Sequence, residues 1–300
     1  MTSFLHRFLE KHKLPDEFFQ VAEYCYQPIA DQLYQRLGDA PFVLGINGAQ
    51  GTGKSTLADF IADYLREARG CQVVSLSIDD IYLTKSEREA LAKNIHPLFA
   101  TRGVPGTHDV QLGLSTINKL KMLADGETML IPRFNKAKDD RSSEGEWTEV
   151  SGPVDLIVLE GWCVGSVPED IHSLKYPINP LEANEDQQGK WRQYANRQLS
   201  ESYSELFAEI DALILLKAPS FECVYNWRLE QENKLALSLA AVTGNDDVSG
   251  IMNEAQIARF IQHYERLTRH NLATLPSKAQ AVIRLGENHQ VENFTSELNP

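Results

Sequence analysis

The chain has 300 residues, of which 42% are hydrophobic and 24% charged, proportions of an ordinary globular protein with one large or two small domains. A core of this size needs no disulfide or metal staple. The net charge of −13 argues against non-specific binding to nucleic acid or an anionic membrane, so any anionic substrate must be held by local cations.

Residues 1–40 read as a helical extension packed on a core over 41–300. Phe18, Val21, Ala22 and Cys25 fall on one helical face, with Pro15 and Pro28 as punctuation. The start is too charged for a secretory signal. The four cysteines, at 25, 71, 163 and 223, show no CxxC spacing. They read as buried, reduced thiols of a cytoplasmic protein. No apolar run approaches a membrane span.

From residue 41 the pattern changes. PFVLGI (41–46) is a short apolar run ending in a glycine-rich turn, and STLADFIADYLREA follows with helical spacing. Further strands are expected at 72–78, 128–131, 154–161, 211–218 and 281–285, those at 72–78 and 154–161 buried. Helices are expected at 109–125, 190–209, 220–240 and 253–271. Apolar strands alternating with helices predict an α/β fold: three layers, α/β/α, around a mostly parallel sheet. Residues 136–150 and 243–250 interrupt the pattern as a loop or hairpin and a turn, both candidate lid-like insertions.

GAQGTGKST matches G-x-x-x-x-G-K-[ST], with a strand before it and a helix after it, which is the P-loop context. Gly48, Gln50, Gly51, Thr52, Gly53, Lys54, Ser55 and Thr56 would wrap ATP phosphates in inward-pointing N–H groups, aided by the helix dipole. Lys54 reaches the β- and γ-phosphates in such a loop, and Ser55 ligates Mg²⁺.

Asp79 and Asp80 follow the second strand at the edge where open α/β sheets bind ligands. Either could accept a proton from an attacking hydroxyl; Asp79 is the preferred base, its neighbour pointing elsewhere. Glu160 ends VDLIVLE as a Walker B carboxylate would, touching Mg²⁺ directly or through water. Asp155, at the opposite end of that strand, reads as structural. Cations gather in two segments, Arg102 with His108 in TRGVPGTHD, and Arg133, Lys136 and Arg141 in IPRFNKAKDDR. They can clamp a small anion or neutralise transferring phosphoryl charge. Asp109 also suits a helix cap, and Lys136 and Lys138 a solvated loop. Arg228 suits either a lid over the phosphates or a salt bridge within its helix. Tyr264, Arg266 and Arg269 read as a structural polar stretch.

No N-K-x-D guanine motif is present, and no basic stripe suggests a nucleic-acid motor. GINGAQGTGKST, SIDDIYLT, RGVPGTHD, IPRFNKAKDDR and VLEGWCVG occur in one order, and the set resembles the D-glycerate 3-kinase family. It is similar at greater distance to phosphoribulokinase, uridine kinase and pantothenate kinase. The resemblance implies transfer of the ATP γ-phosphoryl to the 3-hydroxyl of D-glycerate, with Asp79 as base, Lys54 and Ser55 at the phosphates and Glu160 at Mg²⁺. Ile81 stands where the family often has an aromatic. Tyr82, Arg102, His108, Arg133 and Arg141 are the candidate acceptor contacts. Competing readings are a kinase for pantothenate or a nucleoside, a nucleotide-dependent switch or assembly ATPase, and a nucleotide-binding scaffold without turnover. Nothing in the pattern specifies an oligomeric state.

Overall fold

In the computed structural model, residues 2–243 and 252–298 are described; most of the turn expected at 243–250 lies outside them. In chain order the strands are β1 (Phe42–Gly48), β2 (Val73–Ser77), β3 (Thr128–Ile131), β4 (Phe134–Asn135), β5 (Asp140–Arg141), β6 (Thr148–Ser151), β7 (Leu156–Gly161), β8 (Ala212–Lys217), β9 (Ala281–Leu285) and β10 (Val291–Ser296). The helices are α1 (Thr2–His12), α2 (Phe18–Val21), α3 (Gln27–Tyr34), α4 (Lys54–Arg69), α5 (Lys85–Asn94), α6 (Val110–Met122), α7 (Pro180–Glu185), α8 (Lys190–Ser200), α9 (Ser202–Phe207), α10 (Phe221–Thr243) and α11 (Glu254–Thr274).

Six strands form the central sheet in the order β10-β9-β8-β1-β7-β2. All neighbours run parallel except the β9–β10 edge pair. β8, β1 and β7 lie inside the sheet and are buried along almost their whole length, as parallel strands under helices must be. Leu44 lies between Val158 of β7 and Ala212 of β8. This register brings the carboxyl ends of β1, β2 and β7 to one edge. Asp155, at the far end of β7, accepts from the Gln72 backbone N–H at 2.6 Å, a structural contact as its position suggested.

The expected spacing on α4 holds: Leu57, Phe60, Ile61, Tyr64 and Leu65 are all buried. Phe60 is also the hub for the N-terminal helices, with Phe4, Phe8 and Tyr26 ring centroids 5.6, 5.3 and 5.5 Å away. Pro15 follows α1, but Pro28 does not break the chain's second helical run. A π-helical turn at Ala22–Tyr26 leads without a break into α3, whose first turn holds Pro28.

Two expectations need correction. The helix over 190–209 is two helices, broken at Glu201 (φ −102°, ψ −106°). The strand at 128–131 is real but does not join the central sheet; β3 pairs antiparallel with β6. The segment 136–150, expected as a loop or hairpin, does contain the return strand of a small hairpin, β4–β5, whose turn carries Lys136 and Asp139.

Candidate active site

The P-loop runs from the end of β1 into α4. Gly51 and Gly53 both have φ of +83°, a left-handed conformation that side chains disfavour. Gly51 is also crowded: a Cβ there would sit 2.8 Å from Cβ of Trp227. Trp227 stacks on His289, and Nδ1 of His289 lies 3.0 Å from the Gly51 carbonyl oxygen, so the loop is braced from its outer side. Thr52 is buried and donates to the Ala49 carbonyl at 2.8 Å. Lys54 opens α4 and, with Gln50, faces a cleft of about 610 Å³. Thr56 is half-buried one residue beyond Ser55.

The hydroxyl of Ser55 donates to Glu160 Oε1 at 3.2 Å, and the other carboxylate oxygen, Oε2, is buried without a protein partner. Burial raises the Glu160 pKa, as does nearby Asp79, against the lowering pull of Lys54. A buried, unsatisfied carboxylate oxygen beside a hydroxyl and an ammonium suits a cation that completes its coordination with phosphate and water oxygens. The residues present therefore fit Mg²⁺ at Ser55 and Glu160. Gly161 is tightly enclosed, since a Cβ on it would meet Ile78 at 2.4 Å.

The neighbouring aspartates diverge. Asp79 faces the cleft, where its Oδ1 accepts from the Tyr82 hydroxyl at 2.8 Å and its Oδ2 pairs with Lys136 Nζ at 2.7 Å. Burial pushes its pKa up, but Lys136, Lys54 and the Tyr82 hydroxyl together outweigh burial and hold it below the usual carboxylate range. Asp80 turns away to Arg133, 2.9 Å from Nη1, and accepts from the Phe134 backbone N–H. Burial leaves its pKa raised despite Arg133.

The predicted cations separate in the same way. Arg102 lines the cleft and pairs with Asp139. Arg133 is engaged by Asp80 and by the Thr148 hydroxyl, and it does not line the cleft. Arg141 donates to Asp109 Oδ2 and to the Tyr82 carbonyl, both at 2.9 Å, which clamps the β4–β5 hairpin to the site. Asp109 is at once this partner and the cap of α6, accepting from the Leu112 N–H. His108 lies behind the cleft, stacked on Tyr82 with centroids 4.5 Å apart and Nδ1 2.6 Å from the Tyr203 hydroxyl. Burial lowers its pKa to about 4, so at neutral pH it is an uncharged support for Tyr82 and no anion ligand. Arg228 lines the cleft but is tied to Glu232 one helical turn on.

Several residues that line the cleft are not singled out for it by the sequence. Tyr264, which reads there as structural, lines the cleft and donates to the Arg102 carbonyl at 3.1 Å; Arg266 and Arg269 are indeed held in salt bridges. Trp162 packs edge-on against Tyr264 and donates to the Gly103 carbonyl at 2.8 Å. Arg88 and Asp139 also line the cleft. A basic residue inside a polar helix and an aspartate in a charged turn have no pattern that distinguishes them. A second groove of about 690 Å³, lined by Ile95, Ile171, Lys190 and Tyr194, contains none of the phosphate-loop residues.

The chain is 34% identical over 251 residues to the uncharacterized kinase mug58 of Schizosaccharomyces pombe, covering 79% of this chain and 83% of that protein. It is 30% identical over 242 residues to the chloroplastic D-glycerate 3-kinase of Arabidopsis thaliana, covering 78% of this chain. The chain belongs to the D-glycerate 3-kinase family. It spans about half, 48%, of the Arabidopsis protein's length. The family's fold is shared too: the D-glycerate 3-kinase from Cryptococcus neoformans matches with a TM-score of 0.71 at 24% identity, covering 90% of this chain and 98% of that one. No family model matches. Membership in the D-glycerate 3-kinase family makes the chain an ATP-dependent P-loop kinase of a small molecule, and P-loop kinases in general use ATP with Mg²⁺. Among the described residues, no helix is long and apolar enough to cross a membrane.

Proposed function

We propose that this kinase phosphorylates the 3-hydroxyl of D-glycerate. The observation that carries the reading is the single cleft lined by Lys54 of the phosphate loop, the ionised Asp79 and the guanidiniums of Arg88 and Arg102. A kinase acceptor needs a base at its hydroxyl, and an acidic acceptor needs cations at its carboxylate.

In this reading the P-loop N–H groups and Lys54 hold the ATP phosphates. Ser55 and Glu160 hold Mg²⁺, which when bound neutralises charge on the β- and γ-phosphates. Asp79 takes the proton from the 3-hydroxyl as that oxygen bonds to the γ-phosphorus. The bond from that phosphorus to the β–γ bridging oxygen breaks, and ADP leaves with the electron pair. Tyr82 orients the Asp79 carboxylate, and neutral His108 orients Tyr82 by stacking. Arg133 and Arg141 act at one remove, by fixing Asp80 and the β4–β5 hairpin. Trp162 and Tyr264 keep bulk water from the reacting atoms. Action in the reducing cytoplasm accords with four cysteines that are all unpaired and buried.

The test is ADP release from Mg²⁺-ATP with D-glycerate, L-glycerate, pantothenate, uridine and ribulose 5-phosphate in parallel, with the product's phosphate position read by ³¹P NMR. Turnover on D-glycerate giving the 3-phosphate is the expected result. Preference for any other acceptor, or turnover indifferent to all of them, would remove the glycerate assignment.

A further inference from the structure

The tip of the β4–β5 hairpin places two opposite charges in the cleft. Lys136 Nζ sits 2.7 Å from Asp79 Oδ2, while the Asp139 carboxylate lies between two arginines. One of its oxygens pairs with Arg102, and the other is 3.0 Å from Nη2 of Arg88. Arg88 comes from α5 and is 1% exposed, an unusual place for a guanidinium. Its remaining donors go to backbone carbonyls of Leu83, Ala100 and Asp139, and its face lies over the Phe134 ring, which Arg102 also covers. Asp139 is the one side-chain carboxylate bonded to either arginine among the described residues. It is about one-third exposed and has φ of +53°, so the turn presents it in a left-handed conformation.

Two guanidiniums converging on one carboxylate form a site for a small carboxylate, and here the protein's own side chain fills it. Resting on the reading of this cleft as an acceptor site, we propose that Arg88 and Arg102 determine specificity for an acidic acceptor, and that Asp139 occupies the acceptor carboxylate's place until the acceptor displaces it. Lys136 is on the same turn, three residues away. Displacing Asp139 therefore shifts the hairpin tip and withdraws Lys136 from Asp79, so the base is released when an acceptor is in place. The device holds the base in an ion pair while ATP is bound alone, which limits transfer of the phosphoryl group to water.

The decisive variant is Asp139→Asn, which removes the charge and keeps a side chain tolerant of positive φ. Asp139→Gly is the second, with no side chain to compete. Binding of D-glycerate, glycolate and D-lactate, and of the neutral amide of D-glycerate, is measured by calorimetry on the full chain with Mg²⁺-ADP, beside steady-state kinetics. Removing an internal competitor raises the competent fraction, so both variants should bind carboxylates about 3–10-fold more tightly, leave the amide's binding as in wild type, and hydrolyse ATP several-fold faster without acceptor. Arg88→Lys, which keeps charge but loses the fork, should weaken carboxylate binding about tenfold or more while Mg²⁺-ATP binding holds. Because Arg88 also holds backbone carbonyls, its result counts only where the melting temperature matches wild type. Carboxylate affinity unmoved in both Asp139 variants overturns the exchange, as does wild-type binding of the amide equal to that of the acid, or no carboxylate binding in any variant. Acceptor-free hydrolysis unmoved overturns the link to Asp79. If glycolate or D-lactate binding responds to Asp139→Asn while D-glycerate is not phosphorylated, the exchange stands and the D-glycerate assignment falls. If D-glycerate is phosphorylated with no response in either Asp139 variant, the D-glycerate assignment stands and the exchange falls.

Discussion

Ser55 and Glu160, on different elements and 105 residues apart, meet through a 3.2 Å hydrogen bond that joins the first turn of α4 to the end of β7. The contact forms because β1 and β7 are register-paired neighbours, Ile46 opposite Glu160, and the P-loop folds back over the end of β1. Glu160→Gln keeps the shape and removes the charge. It should raise the Mg²⁺ concentration for half-maximal activity by about 10–100-fold. The measurement is a Mg²⁺ titration at saturating ATP, and an unshifted midpoint would remove Glu160 from the metal site.

The two adjacent aspartates should respond differently to the same change. Asp79→Asn should lower kcat by about 10²–10⁴-fold with ATP affinity retained. Asp80→Asn breaks the ion pair with Arg133, so it should cost up to roughly 1 kcal/mol of stability and a smaller share of activity. Steady-state kinetics with urea unfolding on both variants separates the roles, and the reverse ranking of kcat losses would exchange them.

Lys136 sets the acidic limb of the pH–rate profile. Burial raises the Asp79 pKa and Lys136 is the strongest opposing influence, so Asp79 stays ionised below the usual carboxylate range in the free enzyme. Lys136→Ala removes that opposition, and the acidic limb of kcat/KM should move to higher pH. A limb that stays in place would assign it to another group.

His108 is buried neutral, with a pKa of about 4 in the fold against 6.5 as its ordinary value. The unfolded chain therefore binds more protons between these pH values, and stability must fall as pH drops from 6.5 towards 4. The loss attributable to His108 between pH 7 and pH 4.5 is roughly 2–3 kcal/mol. In His108→Gln this part of the acid sensitivity should vanish, as read from urea midpoints at the two pH values. Equal acid sensitivity in both proteins would show that His108 is not the group responsible.

Much of the site was legible because phosphate binding and parallel strands leave local marks. Glycines that need positive φ, a lysine and a serine at the start of a helix, and carboxylates that end apolar runs all appear as short contiguous patterns. Arg133 and Arg141 were visible as a cluster of charge, but the pattern could not say that Asp80 and Asp109 would hold them. Trp162 and Asp139 lie within VLEGWCVG and IPRFNKAKDDR and Tyr264 in a polar helical stretch, yet nothing local assigned them to the cleft, and Arg88 left no mark at all, because each reaches the cleft from an element that looks ordinary when read alone.

By itself the sequence determined the α/β class, the P-loop, and the strand ends where carboxylates collect, since each follows from backbone geometry and hydrophobic period within a few residues. The tertiary structure alone decided which neighbouring aspartate faces the cleft, which arginines remain near it, and that a hairpin tip brings Lys136 to Asp79 and Asp139 to Arg88 and Arg102. Those outcomes depend on contacts across tens of residues, where a turn's hand and a strand's register direct a charge, and neither is written in the local pattern of residues.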